Sequence, residues 1–180
     1  MNKTFGSTLV VLMMLAGCKE RNAPIDPSEA DVITTVILTL TDSSTMDVSE
    51  FLWEDIDGVG GNEPNRIDTM RIALGKLYSG TIELENRSVT PIENVTTDVY
   101  NLQNEHQFFF SVTNGVATVE ASDIDDRGLP IGLMFSVTPA TPGTGLFTIA
   151  LSHYDSRAAK DGVTPSNETD ISVTFPLIVE

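Results

Sequence analysis

The chain carries only two histidines, and each stands at the end of an apolar segment: His106 in "NEHQFFFSV" (104–112) and His153 in "IALSHYD" (149–155). Neutral imidazole is a common ligand of zinc and copper, and carboxylates can complete such a site. On an extended strand alternate side chains share a face. His106 therefore goes with Phe108 and Phe110, and His153 with Phe147, Ile149 and Leu151. If the two strands are antiparallel neighbours, or face each other across two sheets, both imidazoles reach one end of the fold. Glu105, Asp155, Glu168 and Asp170 are the acidic residues nearest them in sequence, and His106, His153 and Asp155 form the candidate transition-metal set. The plainer alternative is a pair of rim histidines capping the core and bonded to backbone carbonyls.

A second candidate chemistry is calcium. "EDIDGVGGNE" (54–63) and "SDIDDRGLP" (122–130) each place Asp-x-Asp ahead of a glycine, with Asp55 and Asp57 in one and Asp123 and Asp125 in the other. Calcium needs several oxygens on a tight turn that glycine permits. Neither loop has the full twelve-residue EF-hand pattern, and Asp and Gly are also ordinary turn residues. No Gly-x-Ser-x-Gly, phosphate-cradling glycine loop or His-Glu-x-x-His occurs, so a non-enzymatic protein is expected.

The elements that must position these groups read mostly as strands. Period-two runs include Val36, Leu38 and Leu40; Ile82 and Leu84; Leu133, Phe135 and Val137; and Ile171 through Val179. Shorter candidates lie at 46–53, 66–74 and 116–121, with turn signals between them. The expectation is an all-β fold, an antiparallel immunoglobulin-like β-sandwich of about seven to nine strands. One segment differs. Thr90, Pro91 and Glu93 resemble a capping box with proline at the first helical position, and Ile92, Val95, Val99 and Leu102 follow at helical spacing. This predicts a short helix near 91–104.

The N-terminus has its own logic. Lys3, the apolar run Leu9–Leu15 and "LAGC" make a secretory leader ending in the small residues Ala16 and Gly17 before Cys18. That pattern resembles the bacterial lipobox, in which the cysteine is acylated. Cys18 is the only cysteine, so no disulfide can form within the chain. The expected organisation is a leader over 1–17, a polar acylated tether over 18–30 and a single domain over 31–180. The formal charge is −16, and losing the leader with Lys3 makes it about −17. Such a balance argues against nucleic acid and against anionic lipid surfaces, and it tolerates cations.

Taken in order, the lipobox, "DIDGVGGN", "LYSGTIELEN", "NEHQFFFSV", "GLPIGLMFSV", "ALSHYDSRAAKDGV" and "ETDISVTF" resemble a family of short acidic lipoproteins of Bacteroidota. An EHQFFF segment and a histidine in the penultimate segment recur in that family. The resemblance covers nearly all of the chain after Cys18. It implies an outer-membrane lipoprotein, favours the metal reading, and suggests a TonB-dependent receptor as partner in uptake. Some members carry a label of type 1 periplasmic binding domains. Those are large two-lobed α/β folds, which a period-two chain of this length does not match. Lys19 and Glu20 partly match the tag of surface-exported lipoproteins, while Arg21 interrupts an acidic run, so the facing stays open.

Overall fold

The computed structural model describes residues 32–58 and 61–180. The expected leader, the tether and Cys18 lie outside the described residues. Two sheets pack face to face, as the alternating sequence requires. The strands are β1 (Thr35–Asp42), β2 (Val48–Glu54), β3 (Arg66–Ile67), β4 (Met70–Ile72), β5 (Tyr78–Asn86), β6 (Glu93–Asn94), β7 (His106–Val112), β8 (Ala117–Ala121), β9 (Met134–Pro139), β10 (Gly143–His153) and β11 (Glu168–Val179). One sheet runs β3-β2-β1-β5-β9-β8, with β6 on the flank of β5; the other runs β4-β11-β10-β7. The fold is all-β and sandwich-like. It has more strands than the sequence reading allowed, because the 66–74 segment divides between the two sheets and Glu93–Asn94, read as helix, adds β6. One pairing departs from antiparallel: β4 runs parallel to β11.

The core lies between the sheets. Leu38, Ile82, Leu84, Phe135 and Val137 from the first sheet meet Phe108, Phe147, Ile149, Val173, Phe175 and Leu177 from the second. Much of the "FFF" run is explained here. Phe108 is buried, and Phe110 packs its ring 5.1 Å from Phe135 and 6.0 Å from Phe147, centroid to centroid. Such aromatic pairs add about 0.5–1.5 kcal/mol each beyond area burial. Phe135 lies over Gly80 so closely that a Cβ there would overlap its ring.

The predicted helix is present but shorter and later. The α1 helix spans Thr96–Asn101, and Val95 precedes it without a side-chain cap. The Thr90–Glu93 capping box is not used, because Glu93 and Asn94 pair as β6 with Asn86 and Glu85. A strand pairing thus takes the residues that would have formed the first turn. The Asn94 side chain instead accepts from the Thr97 amide, and the Leu84 amide donates to the Thr96 hydroxyl. Buried Val95 and Val99 seat the helix beside β5 at the sandwich end where β7 starts.

Candidate metal centre

Register brings the histidines together. β7 and β10 are antiparallel neighbours, and His106 pairs directly with His153 at the end of their ladder. The ring centroids are 4.6 Å apart. Just beyond them the Tyr154 amide donates to the Glu105 carbonyl at 2.8 Å, which ties the exit of β10 to the entrance of β7. The buried Tyr154 hydroxyl donates to the Thr164 carbonyl, anchoring the following loop.

The carboxylate that joins the pair is Asp170, not Asp155. β10 ends at His153 and the chain leaves the sheet, so exposed Asp155 lines a separate cleft. Asp170 arrives from β11 through an irregularity: Leu151 pairs with Ile171, but Ser152 pairs with Thr169, so Asp170 is the extra residue of a bulge. Bulges re-aim side chains. This one puts Asp170 Oδ2 3.3 Å from His106 Nε2 and Asp170 Oδ1 3.5 Å from His153 Nδ1. One donor atom from each of the three residues falls in a group no wider than 4.8 Å, the one such group of three among the described residues.

The orientation of His106 is set from behind. The residue is 95% buried, being 5% exposed, and its Nδ1 lies 3.1 Å from the Leu102 carbonyl just past α1. A carbonyl only accepts, so Nδ1 carries the proton. In the neutral ring Nε2 then presents a lone pair to the Asp170 carboxylate. Two acceptors facing each other repel unless a proton or a cation stands between them. Both nitrogen-to-oxygen distances exceed the usual 2.7–3.2 Å of an N–H···O bond. Each distance is near the edge of about 3.3 Å that zinc–donor bonds of about 2.0–2.1 Å make in a tetrahedron. They run to different oxygens of Asp170, however, and the three donor atoms spread over up to 4.8 Å, so an ion would draw the ligands closer together. A backbone carbonyl holding the far nitrogen is also the usual support of a metal-ligating histidine.

The aspartate loops do other work. Asp125 is buried against Lys160 rather than a free cation position: Lys160 Nζ donates to Asp125 Oδ2 at 3.0 Å and to the Gln103 carbonyl at 2.8 Å. Asp125 Oδ1 accepts from the Arg127 and Leu129 amides, each at 2.9 Å. Burial alone would raise the Asp125 carboxyl, but these amides and the Lys160 ammonium outweigh it and hold it below its ordinary range. An internal ammonium stands beside Asp125, one of the candidate calcium ligands. Asp123 accepts from the Gly132 amide at 2.7 Å. In the first loop Asp57 accepts from the Asn62 amide and side chain. Burial, and then a hydrogen bond with Asp57, push buried Asp55 above its ordinary value.

Sequence reasoning named Asp170 as a neighbour yet chose Asp155. Alternation from Ile171 points Asp170 away from the core, and no sequence signal announces a bulge. Lys160 was missed as well, since a lone lysine in a polar loop reads as exposed. Comparison with protein-family models, curated proteins and solved structures gave no match.

Proposed function

We propose that this protein is a non-enzymatic binding lipoprotein that captures a transition metal, zinc or copper(II), at His106, His153 and Asp170. The observation that carries the reading is the arrangement around His106: a buried ring whose Nδ1 is committed to the Leu102 carbonyl, leaving Nε2 facing the Asp170 carboxylate 3.3 Å away. Two nitrogens and one oxygen suit either metal. Three protein ligands leave one position open, which favours a site that loads and releases over a closed structural one. The adjoining cleft, lined by Asp155, Asp161 and Glu168 beside His153, offers a cation an acidic approach. Acylation at Cys18 would anchor the body to the outer membrane, where captured metal could pass to an uptake receptor of the TonB-dependent class. The lipobox and the acidic charge support that placement.

Calorimetric titration with zinc and with copper(II) tests this. One metal per chain is expected, with binding abolished in His106→Ala/His153→Ala and weakened at least tenfold in Asp170→Asn. Asp155→Asn should bind as the wild type does. Absence of binding in the wild type would reduce the triad to an ionic cap on the core. The protein would then read as a structural or adhesive envelope module without a small ligand.

A further inference from the structure

Against the three ligands lies a second space, a cavity of about 250 Å³ between α1 and the ends of β10 and β11. His106, His153 and Asp170 form one wall of it. Much of the remaining lining is hydrocarbon: Ile33, Val95, Val99, Leu102 and Leu151. A hydrated ion gains nothing from such walls. An organic fourth ligand does, because its body leaves water while its donor atom reaches the metal. The size is informative, since a 150 Å³ apolar cavity suffices for benzene, so this one takes a single ring together with its donor atom. The charge is informative too. Asp98 and Glu105 stand at the cavity's edge and would repel an anionic body.

Resting on the metal reading above, we infer that the site binds its ion as a ternary complex. The fourth ligand is a neutral nitrogen or sulfur donor carrying a compact apolar group about the size of one ring. The acidic cleft and the apolar cavity share His153 and no other lining residue. The ion enters by the first and the organic ligand seats in the second. Metal-free protein would hold such a ligand weakly, since the donor would find no partner there.

The test uses the cobalt(II)-loaded protein, whose visible absorption reports the coordination sphere. It is titrated with imidazole and with 4-phenylimidazole, and each affinity is normalised to that for free cobalt. The expected result is at least tenfold tighter binding of 4-phenylimidazole. Asp98→Trp, at a half-buried position lining the cavity and away from the ligands, should lose this preference while keeping cobalt and imidazole binding. Equal affinities for the two probes in a protein that binds cobalt would overturn the ternary proposal and leave metal capture standing. Failure to bind cobalt, zinc or copper at all would overturn both.

Discussion

Replacing Lys160 by methionine should cost this protein about 3 kcal/mol, an unusual sum for a lysine in a polar loop. The Lys160 and Asp125 side chains are both fully buried. Methionine keeps the length and apolar stem of lysine, so packing changes little and the effect is electrostatic. The substitution removes two donated hydrogen bonds, to Asp125 Oδ2 and to the Gln103 carbonyl. It also leaves a carboxylate in the interior with its countercharge gone. Breaking a buried pair in this way costs about 3–5 kcal/mol. The lower end applies here because Asp125 Oδ1 keeps its two amide donors and Arg127 Nη2 stands 3.6 Å from Oδ2. For a domain of this size about 1 kcal/mol moves the melting temperature by about 2–4 °C, so a drop of about 6–12 °C is expected. Urea unfolding followed by circular dichroism would measure it. Lys160→Met/Asp125→Asn should recover about 1–2 kcal/mol, since asparagine retains the Oδ1 acceptor without the stranded charge. A single-mutant loss below about 1 kcal/mol, or a double mutant no better than the single, would refute the reasoning. The clamp also bears on the site. Gln103 follows Leu102, whose carbonyl orients His106, so Lys160→Met should weaken zinc binding as well.

Metal affinity should fall on acidification, because imidazole and carboxylate ligate a metal only in their unprotonated forms, and calorimetric titration repeated in progressively more acidic buffers should show it. Gly80→Ala should destabilise by about 3 kcal/mol or prevent folding, since the added Cβ overlaps the ring of fully buried Phe135 and a packed core gives little room to move; soluble yield and urea midpoint report it. Stability should drop as pH falls below the ordinary carboxylate range. Asp42, held low by Lys76 and then by Ser44, and Asp125 have folded values beneath their unfolded ones, so their contribution is complete above that range and is lost as protons bind. Asp55 shifts the other way and offsets part of the loss. Unfolding measured at pH 6 and pH 3 should therefore show a smaller difference in Asp42→Asn than in the wild type.

Fold class was legible because alternation is a local property: residues such as Leu38, Phe135 and Phe175 declare a buried face from their spacing alone. The same rule placed His106 and His153 on the core side of strands, at their ends, since both parities could be counted from the phenylalanines and Leu151. Leader pattern, acidic charge and lack of catalytic motifs were equally open to inspection. Other features depended on partners distant in the chain. Glu93 and Asn94 joined β5 rather than α1 because a neighbouring strand edge offered ladder bonds that an isolated capping box could not match. Which strands became neighbours decided that two histidines 47 positions apart would touch. The bulge between Thr169 and Ile171 chose Asp170 over Asp155, and its cause lies in fitting β11 against β10, not in the residues themselves. Burial made a structural countercharge of Lys160, since only the assembled loops exclude water from its ammonium. Residue types set what chemistry was available; long-range register and desolvation chose which of those residues meet.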